Sequence, residues 1–204
     1  MSLTLYTNPM SRGRIARWMI EEVGAPYETV VLGYADKMKA PDYLAINPMG
    51  KVPAIVHDGR VVTEVAAICA YLADAFPDAG LAPPPSERGE YYRWMFFAAG
   101  PVEQAVTNRS MGVTADEQKS RMLGYGTYDK VVEVMDQALT GREWIAGDAF
   151  SAADVVFGAQ IVWGMQFQTI PKLDAFVAYV ARLTARDAYK RAAALDDAAM
   201  PMAA

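Results

Sequence analysis

The stretch that decides the fold is residues 47–68, NPMGKVPAIVHDGRVVTEVAAI. Val52-Pro53 stands directly before Ala54-Ile55-Val56, where a proline can begin a strand but could not donate a ladder hydrogen bond inside one. Asp58-Gly59 reads as a tight reversal leading into Val61-Val62. Beyond it Val65, Ile68, Cys69, Leu72 and Phe76 recur at helical spacing, so the sequence predicts strand, strand, helix with Glu64 at the helix entrance.

Towards the N-terminus, residues 3–6 alternate as a short strand that Asn8-Pro9 breaks. From Arg12 the apolar positions Ile15, Trp18, Met19 and Val23 form a helical stripe, stopped at Gly24-Ala25-Pro26. Residues 27–32 are β-branched and apolar, and the short strand, helix, strand arrangement predicts a strand parallel to the first. Residues 3–76 therefore read βαβ, a connecting segment, then ββα, the thioredoxin-like order. Charges on the first predicted helix run against the usual preference: Arg12, Arg14 and Arg17 crowd its start, while Glu21 and Glu22 sit near its end. Two readings stand: a solvated face, or a positive helix end that favours an anion such as a thiolate.

Towards the C-terminus, Pro77 and Pro83-Pro84-Pro85 have the stiffness of a linker. The expected domains are 1–77, a proline-rich linker at 78–85, and an all-helical domain at 86–204. Helices are predicted over 86–109 with a kink at Gly100-Pro101, over 114–139, over 151–168, and over 172–194 with an interruption. Thr114-x-x-Glu117 and Ser151-x-x-Asp154 have the spacing of capping boxes. The helix after Ser151 is apolar on nearly every side (Val155, Val156, Phe157, Ile161, Val162), as a helix at the centre of a bundle should be.

With 53% hydrophobic and 21% charged residues the chain has material for a core, and its net charge of -5 argues against a nucleic-acid partner, which needs clustered Lys and Arg. The N-terminal residues lack the pattern of a secretion signal, and the most apolar segment, 155–167, falls short of the roughly 20 residues of a membrane span. A cytoplasmic location and no membrane partner are the expectation. Cys69 is the only cysteine, which excludes an internal disulfide and a CxxC pair. At helical spacing with Val65 and Leu72 it reads as an inert core residue. His57 is the only histidine, and no metal site is expected around it.

The order of elements and the residues Val52, Pro53, Glu64 and Val65 resemble the glutathione-binding half of the glutathione transferase family. The segment Trp144-Ile145-Ala146-Gly147-Asp148-Ala149-Phe150-Ser151-Ala152-Ala153-Asp154 looks like the capping motif of its helical domain, which serves folding. The resemblance covers essentially the whole chain. It implies an α/β plus all-α architecture: a thioredoxin-like domain followed by a helical bundle. It further implies a cis proline at Pro53, a Val52 backbone that pairs with the cysteinyl unit of glutathione, and Glu64 against the γ-glutamyl end. Val65 departs from the family's serine and lacks the hydroxyl that would meet the ligand carboxylate, although its N–H at a helix N-terminus still suits an anion. Lys51, or Lys37 and Lys39, are candidates for the glycyl carboxylate.

In the family a residue after the first strand steadies the sulfur as a thiolate. Ser11, at the entrance to the first helix, is the candidate, and its competing role is to cap that helix. Tyr6, Asn8 and Arg12 stand in reserve. No cysteine lies in residues 6–12, which speaks against mixed-disulfide chemistry. Tyr91, Tyr92, Trp94, Met95, Phe96 and Phe97 are too many neighbours for one helix face, so some are core and others are left for an electrophile pocket or a subunit contact. The resemblance implies a homodimer that transfers the glutathione thiolate to an apolar electrophile. A glutathione-dependent isomerase or reductase of the same fold, and a non-catalytic binding protein, remain the alternatives.

Overall fold

In a computed structural model, which describes residues 2–113 and 115–200, the alternation at the N-terminus becomes β1 (Leu3–Thr7), with Leu3, Leu5 and Thr7 buried. β2 (Glu28–Val31) pairs parallel to β1, Leu5 opposite Thr29. On its other side β1 pairs antiparallel with β3 (Ala54–His57), and β4 (Arg60–Thr63) returns after the Asp58-Gly59 turn, where φ is 46° and 78°. The sheet order is β2-β1-β3-β4. α1 (Gly13–Val23) joins β1 to β2, the short α2 (Pro41–Leu44) lies before β3, and α3 (Val65–Ala75) follows β4. Leu5, Met19, Ile55, Ile68 and Leu72 are fully buried in this core, each worth about 1.5–3 kcal/mol over an exposed side chain. At Gly13 a Cβ would lie 1.9 Å from Thr7 Oγ1, so only glycine lets α1 begin this close to the end of β1.

The second unit starts with α4 (Gly89–Phe97), passes through a π-helical turn (Ala98–Val102) and continues as α5 (Glu103–Ser110). The turn holds Pro101, whose missing N–H a wider turn tolerates, so the expected kink takes that form. The expected helix over 114–139 is instead two: α6 (Glu117–Ser120) and α7 (Tyr128–Leu139). Gly126 (φ 69°) stands between them, and Thr127 caps α7 by accepting from Lys130 N–H. Asp116 caps α6 through Lys119 N–H, and Thr114 lies outside the described residues. α8 (Ala152–Gln166) is buried along residues 152–159, and its capping box forms between Ser151 and Asp154. α9 (Asp174–Ala185) completes the unit. The α4 aromatics divide: Tyr91, Trp94 and Met95 are buried, and Trp94 meets Phe157 edge-on at 5.7 Å, while Tyr92 and Phe96 are exposed.

The expected helical domain over 86–204 needs correction at its end. Contacts divide the chain into Met1–Leu81 with Ala185–Ala204, and Ala82–Thr184. The extended Arg186 (ψ 137°) interrupts the last helical stretch, and α10 (Asp187–Ala198) packs along α1. Arg17 Nε donates to Asp196 Oδ1 at 2.8 Å, Arg186 grips Glu22 with two 2.7 Å bonds, and Arg191 reaches Glu21 at 3.0 Å. Trp18 meets Tyr189 edge-on at 5.0 Å. Among the described residues no helix is long and apolar enough to cross a membrane.

Candidate active site

Strand register brings the candidate residues together. Tyr6 is opposite Ala54, and Ala54 is opposite Thr63, so the end of β1, the start of β3 and the end of β4 share one edge of the sheet. Pro53 and Glu64 are the next residues beyond the Ala54–Thr63 pair, and the loop into α1 leaves from the same edge. The Val52-Pro53 peptide is cis. Val52 is half-buried against a cluster of Leu32, Met38, Tyr43 and Ala54, Pro53 is buried, and Lys51 is exposed. Glu64 is exposed and held at φ 63°, a backbone cost of about 1–3 kcal/mol that clusters at functional positions. Its carbonyl accepts from Ile68 N–H at 2.8 Å, which starts α3 at Val65, itself half-buried.

The β1–α1 loop is organised by Asn8. This buried residue donates through Nδ2 to the Leu32 carbonyl at 2.8 Å and accepts from Met10 N–H at 2.9 Å, a structural role rather than a ligand-facing one. Ser11 Oγ donates to the Asn8 carbonyl at 2.7 Å and accepts from Gly13 N–H at 2.9 Å, from one residue ahead of the N-cap, which Arg12 occupies. The same Asn8 carbonyl also accepts Ser11 N–H at 3.0 Å. Arg12 is exposed at the N-cap of α1, and Tyr6 packs its ring 5.6 Å from that of Tyr43. Tyr34 Oη donates to the Met10 carbonyl at 2.9 Å, and both residues are more than half exposed beside Ser11.

All three basic candidates, Lys37, Lys39 and Lys51, are exposed, and Lys39 Nζ donates to the Gly50 carbonyl at 2.9 Å. Cys69 is completely buried, and burial pushes its thiol pKa up, away from thiolate chemistry. His57 is buried, shares a 2.9 Å hydrogen bond with the Tyr71 hydroxyl and stacks on Phe76. Neither reaches the edge where Ser11, Val52 and Glu64 gather. Reading the sequence did not single out Tyr34, Tyr43 or Asn47, although Asn47 opens the deciding stretch and an Asn-Pro pair is a turn signal.

Residues 10–75 match the family model described as glutathione S-transferase, N-terminal domain. Glutathione S-transferase GST-4.5 of Xanthomonas campestris is 31% identical over 190 residues, which cover 85% of this chain and 90% of that protein. GstA of Escherichia coli O157:H7, also a glutathione S-transferase, is 26% identical over 90% of this chain and 94% of its own length. A solved structure of a sphingomonad glutathione S-transferase complexed with glutathione superposes with a TM-score of 0.79 at 28% identity, covering 95% of this chain and 98% of that one. The chain belongs to the glutathione S-transferase family, enzymes that take glutathione as co-substrate, and it has that family's fold: a thioredoxin-like sheet domain with a helical domain.

Proposed function

We propose that this enzyme, a cytoplasmic homodimer with a detoxifying role, conjugates the glutathione thiolate to apolar electrophilic small molecules. The observation that carries the reading is the gathering of Ser11, the cis Val52-Pro53 peptide and the positive-φ Glu64 on one sheet edge. Glutathione pairs with the Val52 backbone through its cysteinyl unit, with Pro53 fixing the turn. Glu64 meets the γ-glutamyl ammonium, the Val65 N–H at the start of α3 meets the γ-glutamyl carboxylate, and Lys51 meets the glycyl carboxylate. Exposed Met10 and Tyr34 beside Ser11 support an apolar acceptor, and exposed Tyr92 and Phe96 on α4 support a twofold partner. The buried, weakly acidic Cys69 favours conjugation over mixed-disulfide chemistry.

Ser11 donates a hydrogen bond to the sulfur. To do so its proton turns away from the Asn8 carbonyl, which keeps the Ser11 N–H and is not orphaned. Gly13 N–H stays on Oγ and polarises the hydroxyl, and the positive end of α1 favours the anion. The thiol proton leaves to solvent, the sulfur forms a bond to the electrophilic carbon, and the leaving group departs with its electron pair. A thiol of pKa near 8.5 is about 3% ionised at pH 7, and lowering it by two units, about 2.7 kcal/mol, makes it mostly thiolate. Ionisation alone gives at most about thirtyfold, and falling nucleophilicity takes some of that back, so placement of the acceptor supplies the remainder.

With a haloaromatic electrophile, Ser11→Ala should raise the pKa of bound glutathione and cut turnover about ten- to a hundredfold, roughly 1.4–2.7 kcal/mol. Unchanged turnover and thiolate absorbance would move the role to Tyr6, Arg12 or a backbone amide. At Val65, restoring a hydroxyl by Val65→Ser should tighten glutathione about tenfold, because a hydrogen bond to a charged group is worth about 1.5–3 kcal/mol. Glu64→Ala should weaken it. A lower melting temperature with flat affinity for Val65→Ser would mean that this side chain serves packing alone, and binding would then rest on Glu64.

A further inference from the structure

The turn at residues 47–51 directs three successive carbonyls, of Met49, Gly50 and Lys51, onto the side chains of Lys39, Tyr43 and Asn47. Lys39 Nζ donates to the carbonyls of Met49 at 3.3 Å and Gly50 at 2.9 Å. Two donors converge on the next carbonyl, that of Lys51: Tyr43 Oη, and Asn47 Nδ2 at 2.8 Å. Asn47 also shapes the turn itself, accepting Met49 N–H on Oδ1 at 3.1 Å and Gly50 N–H on its carbonyl at 2.8 Å. Tyr43 and Asn47 are each only 4% exposed, so this is a built, buried arrangement rather than a surface contact. Gly50 (φ 57°) allows the close approach: a Cβ there would stand 2.7 Å from the Met38 carbonyl and 2.8 Å from Lys39 Nζ.

The consequence lies in the peptide that follows. A carbonyl oxygen has two lone pairs, and two donors fill both at Lys51, which fixes the plane of the Lys51–Val52 peptide. In a trans peptide C=O and N–H point in opposite directions, so with the Lys51 carbonyl drawn towards Tyr43 and Asn47 the Val52 N–H is aimed away from them. The Tyr43 ring also lies tilted against that of Tyr6 and packs in the cluster with Val52, so its ring and its hydroxyl act on the same short segment.

We infer that Tyr43 and Asn47 are positioning residues for glutathione: by holding the Lys51 carbonyl from behind, they present the Val52 N–H to the cysteinyl carbonyl. Lys39 supports the same turn from the Met49 and Gly50 carbonyls, which gives its ammonium a main-chain role in place of the glycyl carboxylate. The inference rests on the reading that Val52 pairs with the cysteinyl unit, and its test separates the two.

The test measures steady-state kinetics, the pKa of the bound thiol and melting temperature for wild type, Tyr43→Phe and Asn47→Ala, using glutathione and an analogue in which an alkene isostere replaces the cysteinyl–glycyl amide, so that the cysteinyl carbonyl is absent. Wild type should bind the alkene analogue more weakly than glutathione, since the carbonyl that accepts the Val52 N–H is lost. Tyr43→Phe, which keeps the ring and removes only the donor, should raise KM for glutathione about three- to tenfold with kcat and thiol pKa unchanged. The penalty for losing the carbonyl should shrink in that variant, a result that a general loss of stability would not produce. Equal binding of the two ligands by wild type overturns the Val52 reading and the inference with it. Weaker binding of the alkene analogue by wild type together with a KM within twofold of wild type in Tyr43→Phe overturns the inference alone. Should Asn47→Ala fail to fold, Tyr43→Phe decides the matter.

Discussion

Replacing Asp154 by alanine is expected to destabilise the helical unit by about 3–5 kcal/mol, because a buried charged acceptor leaves and its donors stay. The carboxylate is fully buried and accepts on both oxygens: Ile145 N–H at 2.8 Å and Tyr179 Oη at 2.7 Å on one, Ser151 N–H at 2.9 Å and Ser151 Oγ at 3.1 Å on the other. Alanine would take the acceptor from two backbone N–H groups, a phenol and the Ser151 hydroxyl in the middle of the bundle. For a chain of this length the loss corresponds to a fall in melting temperature of about 6–20 °C. Asp154→Asn keeps the shape but turns an NH2 group towards donors on one side, so it should cost less than alanine and more than Tyr179→Phe, which removes a single bond. Burial pushes the Asp154 pKa up, and the bonds from Ile145, Tyr179 and Ser151 pull against it. A carboxyl raised in the fold lends stability that is full below its unfolded pKa and is lost as pH rises through the folded value. The gap between wild type and Asp154→Asn should therefore be widest in acid and narrow as the pH is raised, which melting curves across pH 3–8 would show. A gap that widened with pH would reverse the assigned direction of the shift.

The capping motif was legible because it lies within the eleven residues 144–154, with the cap at Ser151 and the acid three positions later; its fourth donor, Tyr179, is 25 residues further on and was not. The sheet edge was legible for the same reason: proline before a strand, Asp-Gly in the turn and the acid at the helix entrance are local signals. The backbone conformation at Glu64 was not, since nothing in a glutamate announces positive φ. Nor were the partners of the Lys51 carbonyl, because side chains that hold main chain from four and eight residues away carry no period or motif. The helix expected over 114–139 failed for a different reason. Its apolar spacing continued through Gly124 and Gly126, where backbone freedom prevails over pattern.

The fate of the last helix was hidden by distance along the chain, yet its charges were in view. α1 carries Arg14 and Arg17 at its basic start and Glu21 and Glu22 at its acidic end, an order that its own dipole disfavours. α10 begins after Arg186, continues through Arg191 and finishes with Asp196 and Asp197, again contrary to the dipole preference at its C-terminal end. Each helix is mismatched alone, and laid antiparallel each completes the other: Arg14 with Asp197, Arg17 with Asp196, Glu21 with Arg191, Glu22 with Arg186. The arginines first read as a solvated face or an anion environment are, at positions 14 and 17, partners of this helix. The pairs differ in worth. Arg14–Asp197 and Arg191–Glu21 are exposed enough on one partner to contribute about 0.2–1 kcal/mol at most.

Arg17–Asp196 is the pair whose rupture matters, with side chains 4% and 1% exposed. Removing Asp196 alone, as Asp196→Ala, leaves a buried guanidinium whose remaining contacts are the hydroxyls of Tyr27 at 3.0 Å and Thr29 at 3.2 Å. The expected loss is about 3–5 kcal/mol, the range for an uncompensated buried charge. The pair is not a large net gain, however. Burial pushes the Asp196 carboxyl up more than Arg17 lowers it, and Asp196 Oδ2 is buried without a hydrogen bond. Replacing both partners by apolar side chains, as Arg17→Met with Asp196→Leu, should therefore recover at least half of the stability lost in Asp196→Ala. Its remaining deficit comes from the Tyr27 and Thr29 hydroxyls, and Tyr27 keeps its 2.9 Å bond to Glu21. Thermal melts of the single and double variants separate the possibilities. A double variant no better than the single would mean that the ion pair itself, and not the avoidance of a lone charge, holds α10 on α1.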